Sequence, residues 1–136
     1  MPDGTDAVIL ALGANDMLRG VDPAVTKKAL GDAIRRLRAR NIDVMIAGMR
    51  AAPNLGADYA KKFDAMYEEL AREYGVLLYP FLLDGPEESL DALVGKTLGL
   101  CKAKGALKPG DRVVFLAGLP LSRKGTTNVI RVETVQ

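Results

Sequence analysis

The chain has 136 residues, 49% of them hydrophobic and 26% charged, with a formal net charge of +2. That size and balance suit one folded core and exclude a disordered or fibrous chain. Basic and acidic residues are interspersed and aromatics are few, so the cationic face and stacking platforms of nucleic-acid binding are missing. There is no histidine, which removes the commonest general base and metal ligand together, and with them Ser-His and Cys-His nucleophilic schemes outright.

In chain order, Ala7 to Leu12 is an unbroken apolar run ending at Gly13, the pattern of a strand buried on both faces of a parallel sheet. Asp22-Pro23 then offers an N-cap followed by proline at the first helical position. Leu30, Ile34 and Leu37 make the apolar stripe of a helix that ends near Arg40-Asn41. Its arginines, Arg35, Arg36, Arg38 and Arg40, read as a solvated surface with cations near the negative end of the helix dipole. Val44 to Ala47 predicts the second strand. A loop through Pro53, Asn54 and Gly56 leads to a second helix, whose Tyr59, Phe63, Met66, Tyr67, Leu70 and Tyr74 share one face as core and rim.

Gly75 suits the position just past that helix, and Val76 to Leu83 supplies a third strand interrupted at Pro80. A third helix is predicted from about Glu87 to Lys104, with Leu90, Leu93, Val94, Leu98 and Cys101 along one face. Gly95 and Gly99 inside it each cost about 1 kcal/mol relative to alanine, so close approach to the sheet or another helix is expected to offset them. Lys108-Pro109-Gly110-Asp111 forms a turn into a fourth strand at Val113 to Ala117. Val129 to Val135 alternates apolar and charged residues like an edge strand.

The order implies an α/β fold, a three-layer α/β/α domain with a five-stranded, mostly parallel sheet. Right-handed crossovers set the first three strands side by side, and return of the third helix over the opposite face places the fourth beside the first. The sheet order is then 3-2-1-4-5, with strand 5 antiparallel because its connection is too short for a parallel crossover. Cys101 cannot form an internal disulfide and reads as a buried, inert thiol in a reducing, cytoplasmic setting. No run approaches the ~20 apolar residues of a membrane span, and the N-terminus lacks a signal pattern. No cofactor, nucleic acid or membrane partner is expected.

The segment "DAVILALGAND" at Asp6 to Asp16 resembles the G-x-N-D block of the SGNH, or GDSL-type, esterases and lysophospholipases. The likeness continues through "LRGVDP", "MIAGMRAAPNLGADYAKKFDAMYEELAREYGV" and "LYPFLLDG", over about residues 2–84. It implies that Asn15 corresponds to the oxyanion-hole asparagine. The family's G-D-S serine, its oxyanion-hole glycine and its D-x-x-H block have no counterpart here, which makes Asn15 a vestigial donor with nothing to stabilise.

From about 76 to 136 a second likeness enters. "ALKPGDRVVFLAGLPLSRKGTTNVIRVETV" is similar to the end of the pyruvate kinase C-terminal domain, a regulatory module whose last strand is also antiparallel. In some members of that family the loop corresponding to Arg123, Lys124, Gly125, Thr126, Thr127 and Asn128 helps hold a sugar bisphosphate, so those residues are a possible anion-binding loop.

Together the two likenesses imply one domain, 1–136, joined from an esterase-like part over about 1–80 and a kinase-like part over about 81–136. The expectation is an engineered chimera, a fragment recombination that is not an enzyme. The alternatives are weak anion or sugar-phosphate binding in the crevice between the first and fourth strands, and a residual esterase using Ser122 or Thr126, for which no base is evident. A weak homodimer through the edge Val129 to Val135 is also expected, because pyruvate kinase uses its final strand at a subunit interface.

Overall fold

The computed structural model of the chain describes residues 4–13, 16–17, 19–49, 51, 53–79, 90–117 and 129–136. Strand β1, Ala7–Ala11, is buried at every position, as its unbroken apolar run requires. Helix α1 spans Pro23–Ala39. It begins where the Asp22 carboxylate accepts from the Ala24 N–H at 2.9 Å, with proline at a position that needs no donor of its own. Strand β2 is Asp43–Ala47 and helix α2 is Ala57–Tyr74, the latter preceded by a short 3-10 turn, Pro53–Leu55. Gly75 ends α2 in the left-handed conformation, φ 65°.

Strand β3 covers Leu77–Tyr79, the first part of the predicted Val76 to Leu83 strand; residues 80–89 lie outside the described ones. Helix α3 is Leu90–Ala103, β4 is Arg112–Ala117 and β5 is Val129–Thr134. The five strands form one sheet in the order β3-β2-β1-β4-β5. β1 runs parallel to both β2 and β4, from Ala7↔Val113 to Ala11↔Ala117 on the latter side, and β5 is antiparallel to β4. The order derived from crossover handedness and connection length is the one observed.

Handedness also assigns the layers. The connections β1-α1-β2 and β2-α2-β3 step in one direction across the sheet, so α1 and α2 share a face. The β3-α3-β4 connection steps back and takes the other face. A contact between Cys101 of α3 and Met45 fixes that second face as the one bearing Ile9, Met45, Leu77, Val113 and Phe115. Val8, Leu10, Ile46 and Val114 point toward α1 and α2 and are all but fully buried.

The α1/α2 layer is tightly joined. A Cβ on Gly31 of α1 would sit 2.9 Å from the Tyr74 hydroxyl, so the small residue there lets α2 approach. Lys27 bridges to Glu69 at 2.9 Å, and Arg38 donates to the Tyr74 carbonyl. The α3 layer is different. Val94, Thr97 and Cys101 are buried, but a Cβ on Gly95 or Gly99 would meet nothing within 4 Å among the described residues. Close packing does not explain those two glycines. Their cost to the helix is offset by the buried stripe on its other side.

Candidate functional site

In an open, mostly parallel sheet the chemistry collects at the carboxyl ends of the strands, where neighbouring connections leave in opposite directions. Here that point is the end of β1, between β2 and β4. The chain leaves β1 through Leu12 and Gly13. At φ 120° Gly13 has a backbone that side-chain-bearing residues rarely adopt, and a Cβ on it would collide with the Tyr67 hydroxyl. Glycine is required there for two independent reasons.

Three side chains from the α1/α2 layer hold the segment that follows. Tyr67, 2% exposed, donates its hydroxyl to the Leu12 carbonyl at 2.8 Å. Thr26, buried in α1, donates to the Asp16 carboxylate at 2.8 Å, and Tyr59 donates to the Val21 carbonyl at 2.6 Å. The segment braces itself as well, with Met17 N–H on the Gly13 carbonyl at 3.0 Å and Val21 N–H on the Asp16 carbonyl at 2.9 Å. Burial, with the Asp16 and Asp64 carboxylates nearby, pushes the Tyr67 phenol far above its ordinary value, so it remains a donor. Tyr59 is raised for the same reasons, burial first and then Asp16 and Asp22.

A parallel device serves the connection after β2. Asp64 of α2 accepts from the Ala51 N–H at 2.8 Å. The ring stack beneath, Tyr59 on Phe63 at 6.0 Å and Phe63 edge-on to Tyr67 at 5.5 Å, keeps both hydroxyls at fixed heights. The aromatic face of α2 was legible as core and rim. That its two buried-end hydroxyls reach back to the β1 connection was not, although tyrosine rather than phenylalanine at an inward position is a signal that the O–H has a partner.

Asn15 lies outside the described residues, between Gly13 and Asp16, both of which are held in place. The loop Arg123, Lys124, Gly125, Thr126, Thr127, Asn128 lies outside them too, as does Ser122. Cys101 is buried as predicted, and burial pushes its thiol up to about 11, which suits an inert side chain. Among the described residues no group of three potential ligands could hold a metal ion. No described helix is long and apolar enough to cross a membrane.

A sheet of this order with a glycine-broken, hydroxyl-braced connection at its switch point defines a class: an open, mostly parallel α/β protein. Residues 2–100 match the model of the GDSL-like Lipase/Acylhydrolase family, and the chain belongs to that family. It is 33% identical over 98 residues to Esterase TesA of Pseudomonas aeruginosa, a match covering 72% of this chain and 45% of that protein. Against Thioesterase 1/protease 1/lysophospholipase L1 of Escherichia coli it is 35% identical over 77 residues, covering 57% of this chain and 37% of the relative. Among solved structures, AlinE4, an SGNH-hydrolase family esterase, superposes with a TM-score of 0.59 at 33% identity, covering 78% of this chain and 62% of that one. The chain thus spans less than half the length of these curated relatives.

These findings correct the expectation of an engineered, non-catalytic chimera. The family match passes through the supposed junction at residues 76–85 and on into α3, so β3 and most of α3 belong with the esterase-like part rather than with a second family. The relatives it matches are esterases and thioesterases, which sets aside the reading of a scaffold that is not an enzyme. The second likeness rests on residues 106–135, beyond the family match, and reaches back to about 76 on hydrophobic pattern alone, which over 76–100 fits any parallel α/β sheet.

Proposed function

We propose that this chain takes part in hydrolysis of carboxylic esters or thioesters, and that its share of the chemistry is the end of β1. The observation that carries this reading is the joint occurrence there of the G-x-N-D sequence and a backbone held on both sides of Asn15. Tyr67 fixes Leu12 and Gly13 on the upstream side, and Thr26 fixes Asp16 on the downstream side.

During acyl transfer the carbonyl oxygen gains negative charge as the nucleophile adds. A donor accelerates the step only if it is already aimed at that oxygen and does not reorganise. Fixing Leu12 and Asp16, the described residues on either side, serves that requirement, and the amide of Asn15 is the donor in this proposal. The 136 residues hold no histidine. These residues therefore supply no imidazole base. The likeness of Gly118 to Val132 to pyruvate kinase carries no part of this reading.

The test is turnover of short-chain p-nitrophenyl esters and acyl thioesters by the protein that carries these residues. Asn15→Ala should lower kcat by about 100- to 1,000-fold with KM little changed. An unchanged kcat in that variant would remove Asn15 from the chemistry, and no turnover by the protein would overturn the reading as a whole. Weak pairing of two copies through Val129 to Val135 is proposed on the exposed Ile130 and Val132 of that edge; a monomeric mass by light scattering at high concentration overturns it.

A further inference from the structure

Strand β5 forms one edge of the sheet, with β4 on its inner side and no described strand beyond it. Which of its backbone groups face that open edge follows from the end of the strand. The Val135 N–H donates to the Asp111 carbonyl at 2.9 Å, and the Val135 carbonyl accepts from the Gly110 N–H at 2.8 Å, so Val135 is turned inward. Successive residues of an antiparallel ladder turn alternately to one neighbour and to the other. Arg131 and Glu133 are therefore turned inward as well, opposite Phe115 and Val113, while Ile130, Val132 and Thr134 present their N–H and C=O groups to the edge. A row of this kind is a template for another strand.

The side chains alternate too. Ile130 and Val132 lie opposite Leu116 and Val114, on the face that α1 and α2 cover further in, yet they are 70% and 47% exposed. Arg131 and Glu133 are on the α3 face and form an ion pair with each other at 2.5 Å.

A second copy running antiparallel along this edge must set outward-turned residues against outward-turned ones. Three registers of that kind bring the charged residues of the two copies opposite one another. Ile130 against Val132 puts Arg131 opposite Arg131, and Val132 against Thr134 puts Glu133 opposite Glu133. Val132 against Val132 puts Arg131 opposite Glu133 twice, with Ile130 against Thr134. Like charges directly opposite destabilise a pair of strands and opposite charges favour it. In the third register the pair within each strand is kept, and the four charges close into an alternating ring, which the five N–H donors of each guanidinium can serve. The exposed apolar residues of both copies then lie on one face, Val132 beside Val132.

We propose that two copies of this chain join edge to edge in that one register, with Val132 on the two-fold axis and Arg131 of each copy facing Glu133 of the other. The inference rests on the pairing proposed above for this edge and adds the residues that fix its alignment.

Oxidative cross-linking of variants with one added edge cysteine tests it, since the chain's own thiol, Cys101, is buried. Opposed residues of a hydrogen-bonded antiparallel pair have Cα atoms about 5.5 Å apart, within reach of a disulfide. Val132→Cys is expected to give a linked dimer. Ile130→Cys and Thr134→Cys should each give none alone and a linked dimer when mixed. Sedimentation equilibrium reads the charges: Arg131→Glu and Glu133→Arg should each weaken self-association at least about tenfold, and their equimolar mixture should restore it, because each copy then meets opposite charges. Cross-linking through Ile130→Cys or Thr134→Cys alone, and not through Val132→Cys, overturns the register and leaves the pairing. A monomeric mass with no cross-link at any of the three positions overturns both. Charge reversals that leave self-association unweakened overturn the roles of Arg131 and Glu133.

Discussion

The two faces of the sheet are covered to different standards. On one, α1 and α2 interlock through Gly31 and Tyr74, and α2 sends Tyr59 and Tyr67 into the connection after β1. On the other, Gly95 and Gly99 of α3 meet no described atom within 4 Å on their outer side, and a pocket of about 250 Å³ opens at the amino edge of the sheet, lined in part by Cys101. The difference teaches where order was needed. The connection after β1 is fixed by hydrogen bonds from buried side chains, which are costly to leave unmade. A helix that only shields the sheet needs an apolar stripe and little more.

The largest effect expected from breaking the tight face is at Tyr67. Tyr67→Ala removes a fully buried ring that packs edge-on to Phe63, and with it the donor to Leu12. Loss of about 3–5 kcal/mol of stability by urea denaturation is expected. A loss below about 1 kcal/mol would mean that the α2 face collapses around the void and is no tighter than the α3 face.

On the loose face the sign reverses. Gly95→Ala and Gly99→Ala remove the conformational freedom of glycine from a helix interior, and the added methyl groups meet no described atom within 4 Å. Each should raise stability by about 0.5–1 kcal/mol. A destabilising result at either position would show that α3 is packed on its outer side and would remove the contrast between the layers.

The smallest effect concerns the turn that anchors α3 to β4. Asp111 accepts from the Lys108 N–H at 3.0 Å and pairs with the Lys108 ammonium at 3.2 Å. The backbone bond first, then the side chain, holds its carboxyl below its ordinary value of 3.8. A carboxyl lowered by folding stabilises the fold above its unfolded pKa, and the contribution disappears as pH falls through the folded value. Melting temperatures followed into acid should therefore fall less steeply for Asp111→Asn than for the wild type. Parallel acid limbs for the two would place the origin of the acid response elsewhere.

Much of this architecture was legible in the residues. The unbroken run Ala7 to Leu12, the Asp22-Pro23 start and the Gly75 stop each act within a few positions, and crossover handedness then leaves one strand order. What was not legible depends on partners far apart in the chain. Tyr67 and Leu12 are 55 residues apart, Thr26 and Asp16 meet across a loop, and Gly95 and Gly99 reveal their surroundings only once the layers are assembled. The site followed the same division. The G-x-N-D pattern pointed to Asn15, but the hydroxyls that hold its neighbours are spread over two helices, and no local spacing announces them. The family was legible in residues 2–84, but a second likeness over 106–135 was extended back across 76–100, where α/β patterning is generic, and so suggested a junction that the family match runs through.

Native-state hydrogen exchange of the Met17 and Val21 amides, in the wild type and in Tyr67→Phe, tests most directly whether α2 holds the connection after β1. Both amides are hydrogen-bonded within that connection, to Gly13 and Asp16 respectively. In the wild type they should exchange as slowly as the amides of β1, and in Tyr67→Phe the Met17 amide should lose protection while those of β1 keep theirs. Exchange in the wild type as fast as at the ends of α3, or protection untouched by loss of the phenol, would contradict the account.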